Sequence, residues 1–410
     1  MPISKEEYRY IGLRLEGAKM TGSKKTGKIY RSLLSNSLKK NGLITWRYVF
    51  TGTERESAVE KSFFLEFAMI NPSENPDEMT LGFKTRQIFN EEDLQYALAG
   101  TDSAKSIQTE EILKPSFATV RFGEMGSTAR HSALYFCSNQ IEIDQKNFEI
   151  KAGNCIFTEN TIAGFINVDE NDLDAHPEYL CSPGYVKYNF DFEITSPSIN
   201  SFSGKDFFWC PVGLKTNFSG SMNYNGYDYI VNPKTSFGYI EKFYGRDYVS
   251  PWFHLSCCSI QSIISGHTLF DSGFAVHGSF NDKISFIADF EGTHLDFLAE
   301  KDKFNCIWEC VQAPKTSDDE NELLHWIVSI DEKNWVIDVD IYSKVSDLSN
   351  RKLEMAGGNR KLLSVIETCS GYGEIKVFKK TKKSLEQIEY LRITKTFCQY
   401  GNTEEYSQTS

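Results

Sequence analysis

The sequence has no excess of basic charge and no long apolar run. Its 44 Lys and Arg residues stand against 56 Asp and Glu, a formal net charge of -12. Nucleic-acid binding needs a basic surface, so we predict no nucleic-acid partner. No apolar run reaches the roughly 18 residues of a membrane span. No charged N-terminal region precedes an apolar stretch, as it would in a signal peptide. We therefore expect a cytoplasmic protein without a membrane span.

The sequence also lacks the common motifs of hydrolases and metal sites. It contains no G-x-S-x-G elbow and no H-E-x-x-H zinc motif. Its ten cysteines, without a signal peptide, indicate reduced thiols rather than disulfides. Cys306 and Cys310 form one Cys-x3-Cys pair, but no second pair completes a tetrahedral zinc site. The sequence therefore predicts no metal site, and nothing in it calls for a cofactor.

One lysine-rich segment approaches a phosphate-binding motif. Residues 22–28 read G-S-K-K-T-G-K, which matches the opening of a P-loop. The next residue is Ile29, where the motif needs a Ser or Thr hydroxyl for magnesium. The chain also lacks the strand–helix alternation of P-loop folds. We expect a lysine-rich turn here rather than a nucleotide site.

Aromatic residues are plentiful, at 14% of the chain. They favour strands and also line pockets for greasy ligands. Segments of alternating apolar and polar residues, separated by turn signals, predict an all-β fold of sandwiches or barrels. The length of 410 residues favours two domains. The predicted strands are residues 8–15, 44–51, 63–70, 117–122, 133–137, 185–194, 227–231, 252–258, 269–276, 284–290, 294–298, 304–311, 325–330, 335–341, 373–378 and 388–397. The two predicted helices are residues 29–40 and 91–98, and the linker-like segments are residues 71–80, 195–204 and 313–321.

The segment Gly238–Gly245, which reads G-Y-I-E-K-F-Y-G, places a carboxylate among aromatic rings. In a regular strand Glu241 and Lys242 point to opposite faces, so the lysine need not neutralise the acid. Burial raises the pKa of a carboxyl group, and a protonated Glu241 is then a general acid. The alternative is an ionised Glu241 in a salt bridge that fastens two domains together. His254, in the next predicted strand, is the second catalytic candidate; a structural histidine is its alternative.

This segment and the following Trp252–Cys257 resemble the tocopherol cyclase-like family, whose members read G-Y-I-E-K-x-W-G before a short linker into the next strand. Thinner similarity continues through residues 61–67, 147–157, 219–226, 273–290 and 371–375. The resemblance implies two lipocalin-like β-barrel or sandwich domains in tandem, residues 1–240 and 241–410. It implies a cofactor-independent enzyme that cyclises or protonates a double bond in a hydrophobic prenylated or polyene molecule. The residues expected to line its ligand site are Tyr239, Phe243, Tyr244, Trp252 and Phe253.

One region departs from the family. Plant-type cyclases carry an H-G-x-V-S-M-x-H stretch, whereas the equivalent residues 209–217 contain no histidine. The family's histidine roles therefore do not transfer, and two other functions stay open. One is a non-catalytic carrier or sensor for a lipid-like ligand, and the other is an interaction module without a cavity. An apolar cavity lined by an unpaired carboxylate favours the enzyme, and a pocket filled by side chains favours the module.

Overall fold

In a computed structural model of the chain, the predicted all-β architecture is confirmed. The structure describes residues 24–83, 85–88, 109–126, 130–198, 202–203, 207–291, 293–300, 305–314 and 322–405, with 95, 98 and 99 as isolated positions. Within these ranges the α-helices are short: α1 (Lys24–Arg31) and α2 (Glu170–Ala175). Single 3₁₀ turns cover Asn36–Lys39, Ser138–Gln140 and Val345–Asp347. None of these helices has the length and apolarity that crossing a bilayer requires.

The first half of the chain forms one large antiparallel sheet and a separate two-stranded pair, β3–β4. In chain order the strands are β1 (Leu43–Glu54), β2 (Glu60–Ile70), β3 (Thr85–Ile88), β4 (Thr109–Ile112), β5 (Phe117–Met125), β6 (His131–Phe136), β7 (Ile141–Asp144), β8 (Glu149–Ala152), β9 (Cys155–Phe157), β10 (Thr161–Val168), β11 (Gly184–Pro197), β12 (Phe202–Ser203), β13 (Phe207–Tyr224), β14 (Tyr227–Val231) and β15 (Gly238–Gly245). The order in the sheet is β6-β5-β2-β1-β14-β13-β11-β10-β9-β8-β7, and β15 pairs with both β1 and β13. Strand β6 lies against β10 and β11, which curls the sheet into a barrel.

The second half forms another antiparallel sheet. Its strands are β16 (Trp252–Cys257), β17 (Ile260–Ser262), β18 (Gly273–Ser279), β19 (Lys283–Phe290), β20 (Thr293–Glu300), β21 (Asn305–Gln312), β22 (Leu323–Asp331), β23 (Trp335–Lys344), β24 (Ser349–Glu354), β25 (Lys361–Lys380) and β26 (Leu385–Glu405). The order is β20-β19-β18-β16-β26-β25-β23-β22-β21, with β17 on β26 and β24 on β25.

Apolar side chains form three buried clusters: one inside each curled sheet and one between the two sheets. Strand β15 shows how one strand serves two of them. Ile240 lies in the cluster inside the first barrel, while Tyr239 and Phe243 lie in the cluster between the sheets. Because side chains alternate along a strand, β15 is buried on both faces. Glu241 therefore faces the second sheet, and Lys242 faces the interior of the first barrel.

The predicted helix over residues 29–40 is wrong. Helix α1 ends at Arg31, Ser35 is extended, and Asn36 adopts a φ of 52°. A left-handed residue cannot continue an α-helix, so only a 3₁₀ turn follows. The lysine-rich turn expected at residues 22–28 is also wrong from Lys24 onward, because those residues begin α1. The predicted strand 8–15 lies outside the described residues, as does almost all of the predicted helix 91–98.

Strand β13 was missed because its sequence carries strand breakers. Pro211 has no N–H for the ladder, and Gly213 packs no side chain. The pairing of β13 with β15 shifts register between Cys210 and Gly213, which accommodates both residues. The predicted linker 195–204 is partly wrong, because β11 continues to Pro197 and β12 covers Phe202–Ser203.

The expected domain boundary at residue 240 falls inside β15, all of which belongs to the first sheet. The chain passes from the first sheet to the second between Gly245 and Trp252. The division into two folding domains stays a prediction.

Candidate functional site

A row of alternating charges crosses four neighbouring strands on the outer face of the first barrel. Glu241 on β15 pairs in register with Arg47 on β1, and Arg47 pairs with Glu66 on β2. Glu66 in turn pairs with Arg121 on β5. Opposite charges on directly opposed positions attract each other, and all four side chains are buried. The charges of this row cancel.

A second polar row crosses the facing sheet. Glu367 on β25 is opposite Gln399 on β26, which is opposite His254 on β16. His254 is opposite His277 on β18. These four side chains are also buried, and Gln399 Nε2 donates to Glu367 Oε2 over 2.7 Å. Two polar rows therefore face each other inside a largely aromatic layer.

Ion pairs join the two rows. Arg351 on β24 donates to Glu66 of the first sheet from Nη1 and Nη2, at 2.7 and 3.1 Å. It also donates to Glu367 from Nε, at 3.0 Å. Arg47 bridges in the other direction, with Nη1 3.1 Å from Gln399 Oε1. Its Nε lies 2.6 Å from Glu66 Oε1 in its own row. These contacts hold the two sheets together across the polar layer.

The Glu241 carboxylate has three hydrogen-bond donors. Its Oε1 accepts from Arg47 Nη1 at 2.8 Å. Its Oε2 accepts from Trp209 Nε1 at 2.7 Å and from the Tyr239 hydroxyl at 3.0 Å. Donors of this kind stabilise the ionised form of a carboxyl group. Glu241 thus forms a buried salt bridge, but with Arg47 of its own sheet rather than across two domains. Its role as a general acid stays a prediction.

His254 and His277 form a buried pair beside Glu241. Their Nδ1 atoms are 3.2 Å apart, and His254 Nε2 is 3.2 Å from Ser256 Oγ. His254 Nδ1 lies 3.9 Å from Glu241 Oε2. Burial lowers the pKa of both imidazoles well below the ordinary value, and the Arg47 charge lowers it further. Both rings are therefore neutral at pH 7.

Little empty space adjoins this cluster. A cavity of about 30 Å³ is lined by Tyr239 and Ser256, which hydrogen-bond to Glu241 and His254 respectively, together with Val49, Cys258 and Phe397. This volume has room for about one or two water molecules.

Lys242, on the opposite face of β15, is buried in the first barrel. Its Nζ lies within hydrogen-bonding distance of the carbonyls of Ile29, Tyr30 and Ser32 and of Ser32 Oγ. It also lies 4.3 Å from the centre of the Trp46 ring. Burial lowers the pKa of Lys242 well below its ordinary value. The amine ties the end of α1 to the barrel wall.

An apolar pocket of about 280 Å³ lies at one end of the same barrel. Its walls are mostly aliphatic, with a few polar groups. The lining residues are Leu33, Leu34, Lys39, Ile44, Met69, Pro72, Ser73, Ile143 and Gln145. We call it the mouth pocket. Leu33 and Leu34 directly follow the residues that Lys242 holds, so the pocket wall depends on that anchor.

The structure brings together most, but not all, of the predicted site residues. Tyr239, Phe243 and Trp252 lie in the layer between the sheets with Glu241 and His254. Tyr244 lies on the other face of β15, stacked on Phe208 at 4.6 Å. Phe253 faces the core of the second sheet, 6.0 Å from the Trp326 ring centre. The ligand-binding role of the five aromatic residues stays a prediction.

The polar partners of Glu241 were not predicted. Arg47, Glu66 and Arg351 hold the layer together, and His277 and Trp209 complete the surroundings of Glu241. Arg47 and Glu66 are each the one charged residue of an otherwise uncharged predicted strand, residues 44–51 and 63–70. A charge in the middle of an apolar strand was the available signal, because buried charges occur in pairs.

No known family model matches the chain, and no curated protein is a significant match to it. Among solved structures, the chain is similar to an AttH protein of Nitrosomonas europaea, with 8% identity and a TM-score of 0.35, covering 86% of this chain and 92% of the other. It is also similar to kievitone hydratase from Nectria haematococca, with 10% identity and a TM-score of 0.36, covering 92% and 96%. The resemblance to the tocopherol cyclase-like family stays a prediction.

Proposed function

We propose that the protein binds the apolar part of a small hydrophobic molecule in the mouth pocket, as a carrier or sensor. The observation that carries this proposal is the pocket itself, with about 280 Å³ enclosed mainly by aliphatic side chains. Ligand sites are typically apolar concavities with a few polar groups. Lys39, an exposed cation that also lines the pocket, suits a ligand whose polar or anionic end stays near water.

The layer between the sheets is less suited to a ligand. Its cavity of about 30 Å³ is far smaller than a typical ligand site of about 300 Å³ or more. The Glu241 carboxylate also already accepts hydrogen bonds from Arg47, Trp209 and Tyr239. A substrate would have to displace these bonds, and each broken bond would leave a buried polar group unpaired.

The test is to extract purified protein with organic solvent and to identify bound molecules by mass spectrometry, alongside intact complexes under native conditions. We expect a hydrophobic compound in the wild type and less of it in Leu33→Trp, which fills the mouth pocket. Ile307→Trp is the matched control, because Ile307 lines a groove on the second sheet. An equal amount of the compound in all three proteins would contradict the proposal.

A second proposal is that the protein is an enzyme that protonates or cyclises a double bond in a prenylated or polyene substrate. Its support is the Glu241, His254 and Tyr239 cluster next to a small cavity. In that case the sheets would have to part to admit substrate. Because Glu241 has three donors, the proton would pass through it only after Arg47 or Tyr239 moves away.

Isotope incorporation tests this second proposal. Prenylated phenols and polyenes would be incubated with the protein in D₂O and analysed for carbon-bound deuterium. Catalysis predicts deuterated product with the wild type and with His267→Gln, a variant of an exposed histidine, and none with folded Glu241→Gln. Full turnover by Glu241→Gln would rule out this mechanism.

A further inference from the structure

We propose that Glu241, His254 and His277 form a binding site for one divalent transition-metal ion of the Zn²⁺ type. One ligand atom from each residue lies within 4.8 Å of the other two, and all three side chains are buried. This proposal departs from the sequence prediction of no metal. It does not depend on ligand binding at the mouth pocket, which is on the other side of β15.

The histidine geometry fits a shared ion. The two Nδ1 atoms are 3.2 Å apart. Two nitrogens bound to one tetrahedral zinc at about 2.1 Å lie about 3.4 Å from each other. Glu241 Oε2 is 3.9 Å from His254 Nδ1, so this distance would have to shorten by about 0.5 Å for both atoms to bind one ion.

The surroundings orient the two rings toward such an ion. His254 Nε2 is 3.2 Å from Ser256 Oγ, which leaves Nδ1 directed at His277. The His277 ring is stacked on Trp209 at 4.8 Å and meets Trp252 edge to face at 4.6 Å. Hydrogen bonds and packing around metal-ligating histidines fix the tautomer and the ring plane in the same way.

Without a metal, the two Nδ1 atoms share a single proton. One Nδ1 carries the proton of the His254–His277 hydrogen bond, and His277 Nε2 is buried with no hydrogen-bond partner. An ion would replace that shared proton and give both Nδ1 lone pairs a partner. With both Nδ1 atoms bound to the ion, each ring carries its proton on Nε2, so His277 Nε2 would still lack a partner, and the support for the site is the spacing of its ligand atoms.

The donor set indicates the class of metal. Two imidazoles and one carboxylate suit zinc and neighbouring transition metals, whereas magnesium and calcium prefer oxygen ligands throughout. A fourth ligand can be water, because the 30 Å³ cavity reaches Tyr239 and Ser256 beside the cluster. The positive charge of Arg47 opposes the ion, but Arg47 is also paired with Glu66 at 2.6 Å.

Zinc retention by the full chain tests the site. Purified protein would be dialysed against ZnCl₂, freed of loosely bound ion on a chelating resin, and analysed for zinc per chain by mass spectrometry. We expect one equivalent in the wild type and in His267→Gln, and almost none in His277→Gln. Circular dichroism and thermal melting would verify that each variant is folded. A wild type that retains no zinc, or a His277→Gln variant that retains as much, would overturn the proposal.

If His277→Gln does not fold, cobalt spectroscopy of the wild type tests the metal site. Co²⁺ bound to the wild type through two imidazoles and a carboxylate gives intense visible bands of a four- or five-coordinate ion. Those bands should disappear on adding Zn²⁺. Only the weak bands of an octahedral, oxygen-bound ion would contradict the site.

Discussion

The two faces of β15 stabilise their buried ionisable side chains in different ways. Glu241 faces the second sheet and accepts hydrogen bonds from arginine, tryptophan and tyrosine side chains of its own sheet. Its neighbour Lys242 faces the first barrel, where mainly backbone carbonyls surround its amine. The first face joins the sheets, and the second anchors a segment that borders an apolar pocket. Glu241 therefore belongs to the contact between the sheets, and the adjacent Lys242 helps to shape the pocket.

Removing the charge of Glu66, which lies in the contact between the sheets, should cause the largest loss of stability. Glu66→Gln leaves Arg47 and Arg351 buried without their shared carboxylate. Breaking a buried ion pair in this way costs about 3–5 kcal/mol. Urea unfolding at pH 7 measures the loss. The matched control is Glu404→Gln, because Glu404 pairs with Lys352 at 3.4 Å on an exposed surface, where the cost is about 0–1 kcal/mol. Equal losses would mean that the buried row does not hold the sheets together.

Glu354, a buried carboxyl group at the end of β24, should make the stability of the fold depend on pH. Burial raises the pKa of this carboxyl group to about 8, a rise that Asp247 supports and that the Gly82 N–H and Arg121 oppose. The folded protein thus keeps a proton that the unfolded chain releases near pH 4.5, so stability falls as the pH rises between these values.

The change is on the order of 3 kcal/mol from pH 5 to pH 7.5. Urea midpoints over this range should show a gain in stability of Glu354→Gln relative to the wild type as the pH rises. The same series with Glu404→Gln should stay parallel to the wild type. A constant difference between Glu354→Gln and the wild type would show that Glu354 is ionised throughout.

Replacing Lys242 tests the pocket-side face. Lys242→Met removes a donor from the carbonyls of Ile29, Tyr30 and Ser32. Unsatisfied buried acceptors cost about 1–3 kcal/mol, so thermal unfolding should occur earlier. Hydrogen exchange should also quicken around residues 29–34. Lys352→Met, at a half-exposed lysine, should change neither. Unchanged exchange in Lys242→Met would show that the amine does not anchor α1.

Several parts of this comparison were predictable from sequence. Alternation placed Glu241 and Lys242 on opposite faces, and the same rule places Tyr244 with Lys242 rather than with Glu241. The approach of His254 to Glu241 was not predicted, because β16 belongs to the second sheet and does not pair with β15.

The polar rows were not predictable. Arg47 meets Glu241 because β1 pairs with a strand 194 positions later, and register between distant strands is not written in either segment. Strand β13, which carries Trp209, was not predicted because Pro211 and Gly213 are unfavourable in strands. The mouth pocket depends on a chain path between α1 and β1 that the predicted continuous helix would have closed.

The most direct measurement of ligand binding is a fluorescence titration with N-phenyl-1-naphthylamine, a neutral hydrophobic probe. Wild type, Leu33→Trp, Ile307→Trp and Tyr239→Phe would be compared. We predict saturable binding that weakens about tenfold, equivalent to about 1.4 kcal/mol, in Leu33→Trp alone. Loss of binding in Tyr239→Phe with full binding in Leu33→Trp would place the ligand between the sheets and contradict this account.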